Sequence, residues 1–106
     1  MDLHELKTKL ENSSLMDAME GHVLSFTQIT EREGVLNGHI SLEDESGLQE
    51  DKEDTFVIYK EQEQFTLATS LFTGKQHKFI FVIKKYSIEI KSSELQLDFT
   101  YVINTN

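Results

Sequence analysis

The chain has 106 residues, with 19 Asp and Glu against 10 Lys and Arg, a formal net charge of −9, and no Cys, Pro or Trp. That length fits one domain. The missing cysteines exclude disulfides, thiolate metal sites and cysteine nucleophiles, and a reducing compartment is therefore permitted. The acid excess, with Arg32 the single arginine, argues against phosphate-backbone contacts with nucleic acid and against an anionic membrane surface.

No apolar run approaches the roughly 20 residues that span a bilayer. The longest, Phe79-Ile80-Phe81-Val82-Ile83, is strand-sized. Met1-Asp2-Leu3-His4-Glu5 lacks the basic and apolar regions of a signal peptide, so a cytoplasmic location is expected.

Residues 1–20 read as helical. Asp2 with Glu5 three positions later is a variant of the capping box, and Leu3, Leu6 and Leu10 share one helical face. The phase breaks at Asn12-Ser13-Ser14. Ser14 offers a second N-cap and Gly21 a stop, so two short helices or one kinked helix are expected.

From His22 the period becomes two. Leu24 and Phe26, then Leu36, Ile40 and Leu42, alternate with polar residues around Arg32-Glu33-Gly34. A three-residue hairpin loop closed by Glu31 and Val35 puts Phe26 opposite Ile40 and Leu24 opposite Leu42. Residues 43–54 form an acidic loop, with seven carboxylates against Lys52. A turn on Gln62-Glu63 then pairs Ile58 with Leu67 and Tyr59 with Thr66. Thr73-Gly74-Lys75-Gln76 is another turn. Residues 77–91 form a long β-prone run with a bend expected near Lys84-Lys85. Ser92-Ser93 turns into a strand with Leu95, Leu97, Phe99, Tyr101 and Ile103 on one face.

The expected fold is α+β: an N-terminal helix or helix pair on a curved antiparallel meander sheet or small barrel of six to seven strands, spanning 22–104. Ile80, Val82, Leu48 and Phe72 are apolar residues in excess of one thin core. The N-terminal helix, a second copy of the chain or a partner could cover them.

Site chemistry is sparse. His4, His22, His39 and His77 have no ligand spacing among themselves or with carboxylates, although the hairpin register puts His22 near Asp44. No metal or cofactor is expected. The acidic loop does not match a calcium loop, because aligning Gly47 to the obligatory glycine puts Leu42 at the first ligand position. No nucleophile elbow or phosphate loop is present, so no catalytic residue is assigned.

Charge is the one uneven feature: residues 1–63 hold 16 acids and 5 bases, residues 64–106 only 3 acids and 5 bases. The expected function is a non-catalytic protein-interaction domain, an acidic inhibitor or nucleic-acid mimic that meets a basic protein surface through Glu43, Asp44, Glu45, Glu50, Asp51, Glu53 and Asp54. The alternative is a small apolar ligand carrier with a pocket lined by Phe56, Phe65, Phe79, Phe81, Phe99 and Tyr101.

Overall fold

In a computed structural model, which describes residues 1–17, 19–48 and 50–105, the period-two stretches of the sequence become eight antiparallel strands. One helix, α1 (Leu3–Glu11), precedes β1 (Ser13–Asp17), β2 (His22–Arg32), β3 (Val35–Asp44), β4 (Lys52–Glu61), β5 (Gln64–Thr69), β6 (His77–Ile83), β7 (Ser87–Ser92) and β8 (Leu97–Thr105). Each strand pairs with the next, and β1 also pairs with β8, so the sheet closes into an up-and-down barrel. No helix among the described residues is long and apolar enough to cross a membrane.

The α+β class is as expected, but the strand count is eight rather than six to seven. The difference lies in β1, which was expected to be helical. The capping box at Asp2 is present, with Glu5 N donating to Asp2 Oδ1 at 2.8 Å, and Leu6 and Leu10 are buried. The helix stops at Asn12, whose side-chain amide bonds to the Thr8 carbonyl at 2.8 Å. Ser13–Asp17 then pairs on both edges, with β2 and with β8. Two rows of sheet hydrogen bonds outweigh the weak local preference for one more helical turn.

The β2–β3 hairpin has the expected pairs Phe26–Ile40 and Leu24–Leu42. Its turn is tighter than expected: Arg32 pairs with Val35, leaving Glu33 and Gly34 as a two-residue loop with both φ positive, as a type I′ hairpin turn requires. A bulge between Thr27 and Thr30 absorbs the one-residue difference. It rotates the strand so that Ile29 faces inward and is buried. The β4–β5 hairpin pairs Ile58 with Leu67 and Tyr59 with Thr66 across Gln62-Glu63, as expected. The 77–91 run breaks after Ile83, and the acidic segment is shorter as a loop than expected: β3 extends to Asp44 and β4 begins at Lys52.

The topology sorts the connections between two ends. The turns after β2, β4 and β6 share one end with α1, whose Leu6 and Leu10 join the barrel core there. Lys60 Nζ donating to the Met1 carbonyl at 3.1 Å, and His4 3.7 Å from Glu31, tie α1 to the strands at that end. The turns after β1, β3, β5 and β7 share the opposite end, where the described residues form no helix.

Candidate functional site

The middle of the barrel is filled by its own side chains. Phe26 packs edge-on against Phe56 at 5.0 Å between centroids and stacks on Phe81 at 5.9 Å. Phe56, Phe79 and Phe81 are each 1% exposed. Eight strands enclose an interior just wide enough for such filling. Five of the six rings expected to line a ligand pocket, Phe56, Phe65, Phe79, Phe81 and Tyr101, are therefore core residues. The edges of Phe65 and Phe81 border only an open cleft at the helix end, shared with Met1, Lys60 and Ile83. Of the six, Phe99 and Tyr101 line the pocket at the opposite end.

That end holds the candidate site. Thr69, fully buried, donates through Oγ1 to the Thr55 carbonyl at 2.9 Å and accepts from Leu71 N at 3.2 Å. These bonds fold the β5–β6 turn across the barrel mouth. Leu71 is buried, and Phe72 stacks on Phe99 at 5.0 Å and meets Phe79 edge-on at 5.4 Å. The apolar residue in excess of a thin core is thus a partial cover for the mouth. A pocket of about 160 Å3 remains, lined by Leu42, Phe72, Phe99 and Tyr101 beneath Asp17, Glu20, His22 and Lys52. A shallower groove, sharing Asp17, Glu20 and Phe99, runs outward past Met19 and Val102.

Three titratable groups converge on the rim. Asp17 ends β1 and His22 begins β2, and the two are cross-strand partners. Glu20 lies in the turn between them, its Oε2 3.3 Å from His22 Nδ1. Asp17 Oδ1 accepts from the backbone N–H groups of Met19 at 2.9 Å and Glu20 at 3.3 Å, which fixes the turn. The ligand atoms of Asp17, Glu20 and His22 all lie within 4.8 Å of one another. The expectation that no histidine has a carboxylate partner at ligand spacing is thereby corrected for His22. Asp17 and Glu20 lie in a stretch whose local pattern is helical, so nothing in their spacing brings them to His22. Below them, burial, and then the charges of Asp17 and Glu20, push the Tyr101 hydroxyl above its ordinary value of 10.0.

The seven residues of the acidic segment also reach this end, in different roles. Glu43, Glu45, Glu50, Asp51 and Glu53 are exposed. Asp44 is half-buried, its Oδ1 accepting from Ser46 N at 2.9 Å and Ser46 Oγ at 2.6 Å, and His22 stands opposite it in the β2–β3 register, as expected. Asp54 is spent internally. Its carboxylate accepts from the Ser70 hydroxyl and from Thr55 N, and the Ser70 bond, then the Thr55 bond, hold its carboxyl below 3.8.

Charge is unequally divided between the two ends. The mouth end carries Asp17, Glu20, Glu43, Asp44, Glu45, Glu50, Asp51, Glu53, Asp54, Glu94 and Asp98 against Lys52, Lys75, Lys78 and Lys91. The helix end carries Asp2, Glu5, Glu11, Glu31, Glu33, Glu61 and Glu63 against Lys7, Lys9, Arg32, Lys60, Lys84 and Lys85, close to balance. Met19 and Leu48, 95% and 87% exposed, stand among the acids of the mouth.

The sequence matches no protein-family model and no curated protein, and the fold matches no solved structure.

Proposed function

We propose that the protein is a non-catalytic binding module that docks the open mouth of its barrel on a basic surface of a partner protein, acting as an acidic inhibitor or a mimic of nucleic acid. The observation that carries this reading is the gathering of acidic side chains and two exposed apolar side chains at one end of a barrel whose other end is nearly neutral and covered by α1. A net negative field focused at one end steers a cationic partner. Met19 and Leu48 supply short-range apolar contact once it arrives.

The ligand-carrier alternative has less support. The pocket among the aromatic rings is about 160 Å3, roughly half of the smallest pockets that take drug-sized ligands, about 300 Å3, and the larger spaces, about 550 Å3 beside Phe99 and about 320 Å3 beside Phe65 and Phe81, are open grooves on the surface.

The test is a titration of the isotope-labelled chain with a lysine- and arginine-rich peptide, followed by NMR at low and high salt. Shifts are expected at 19–22, 43–48 and 50–53, weakening steeply as salt rises. A variant with Glu43, Glu45, Glu50, Asp51 and Glu53 changed to Gln or Asn should lose them. Shifts at the helix end, or binding indifferent to salt and to the variant, would overturn the reading.

A further inference from the structure

The rim cluster has a geometry that the docking reading does not need. Zinc holds His nitrogen and carboxylate oxygen at about 2.0–2.2 Å in a tetrahedron, whose ligand atoms are then about 3.4 Å apart. His22 Nδ1 and Glu20 Oε2 are already 3.3 Å apart. Asp17 completes a set within 4.8 Å, so the third ligand has to close by no more than about 1.4 Å. Its Oδ1 is committed to the turn amides, and Oδ2 is left for an ion.

A second observation points into the same space. Tyr101 is 2% exposed and makes no hydrogen bond to the described residues, and since no buried polar atom among them lacks a partner, its hydroxyl is the part of the ring that opens on the pocket. Tyr101 lines the pocket that Asp17, Glu20 and His22 overhang, and its hydroxyl feels the charges of Asp17 and Glu20, so the open end of the ring lies toward the cluster. Lys52 borders the pocket from β4 but makes no ion pair with the three ligands among the described residues.

We propose that Asp17, Glu20 and His22 form a binding site for a divalent transition-metal ion of the zinc type, with its fourth position open toward the Tyr101 hydroxyl. One imidazole and two carboxylates suit zinc better than magnesium or calcium, which take oxygen ligands alone. The ligands bridge the β1–β2 turn, so the ion clamps the two strands at the mouth. This inference stands apart from the docking of a partner, because the ion is held by the chain alone.

The experiment is calorimetric titration of the full chain with zinc chloride, with magnesium chloride as the control. It is paired with NMR of the imidazole nitrogens. Saturable one-to-one zinc binding is expected, with the His22 ring signals moving and those of His4, His39 and His77 still. Glu20→Gln and His22→Gln should each weaken binding at least about ten-fold. Asp17→Asn, which keeps the turn acceptor, should weaken it while leaving the thermal midpoint of the metal-free chain nearly unchanged. His39→Gln should bind as the parent does. Absence of saturable binding, binding unaltered in the Glu20 and His22 variants, or movement of another histidine would each overturn the site.

Discussion

Gly38 on β3 lies against the backbone of Gln28 on β2: a Cβ at position 38 would stand 2.8 Å from the Gln28 carbonyl oxygen and 2.7 Å from that of Thr27. The contact is the centre of the bulge that sets the phase of the barrel's longest hairpin. Both opposing atoms are backbone, so no side chain can swing away. Gly38→Ala is expected to destabilise the fold by about 1–3 kcal/mol, lowering the thermal midpoint by several degrees. A melt unchanged from the parent would mean the bulge relaxes freely.

The β4–β5 turn should respond in the opposite direction. Gln62 and Glu63 have φ of 52° and 66°, a left-handed conformation that costs side-chain-bearing residues about 1–2 kcal/mol each. Asn-Gly is the preferred pair for such a turn. Changing Gln62→Asn and Glu63→Gly is expected to stabilise the protein by about 1 kcal/mol, after the added freedom of glycine in the unfolded chain is offset. The change sacrifices a Lys60–Glu63 pair at 3.8 Å with Glu63 93% exposed, an interaction worth little. Denaturant midpoints of parent and variant decide the matter.

Three carboxylates set the acid limb of stability. Glu89, buried on the outer face of β7, lies 2.6 Å from Lys84 Nζ and 2.9 Å from Lys91 Nζ, and the Lys84 bond, then the Lys91 bond, hold its carboxyl below 4.5. Asp54 and Asp2 are held below 3.8, chiefly by the Ser70 hydroxyl and by the Glu5 N–H respectively. Each folded value is depressed, so the unfolded chain binds more protons in the acid range. The stabilisation is complete above the ordinary carboxylate values and is lost as pH falls through the folded ones. Thermal midpoints should therefore hold steady down to about pH 5 and fall below it, and Glu89→Gln should make that fall shallower. Parallel acid limbs in the two proteins would show that the clamp contributes nothing.

Removing the Tyr101 hydroxyl should cost nothing. It makes no hydrogen bond to the described residues and opens on the pocket at the barrel mouth, so its removal breaks no internal bond. Tyr101→Phe is expected to leave metal-free stability unchanged or to raise it by up to about 1 kcal/mol. A loss beyond that range, measured by denaturant unfolding, would reveal a bond formed in solution.

Local chemistry made much of this legible in the sequence. The capping box, the Leu6 and Leu10 face and the Gln62-Glu63 turn depend on residues a few positions apart. The hairpin register at Phe26–Ile40 was right even though its closing pair was wrong, because the turn is one residue shorter and the bulge restores the count. The broken alternation from Phe26 to Ile29 carried the signal of that bulge. The identity of β1 was not legible. Ser13–Asp17 is a strand only because β8 lies ready on its far side, and that neighbour is remote in sequence. With β1 read as helix, Asp17, Glu20 and His22 had no reason to meet, so the rim cluster went unseen. The aromatic residues were correctly placed in strands, but inner filling and pocket lining have the same pattern. Only closure of the barrel, with its fixed radius, distinguishes Phe79 from Phe99.

The pairing of Ser14 with Asn104 has a consequence for how the molecule is made. The hairpins β2–β3, β4–β5 and β7–β8 each join segments adjacent in the chain and can zip as soon as both halves exist. The seam between β1 and β8 cannot. A ribosome must deliver all of β8 before the first strand meets its second neighbour, and until then the sheet has two raw edges able to recruit strands from other nascent chains. The seam should be the last part of the sheet to gain protection from hydrogen exchange during refolding.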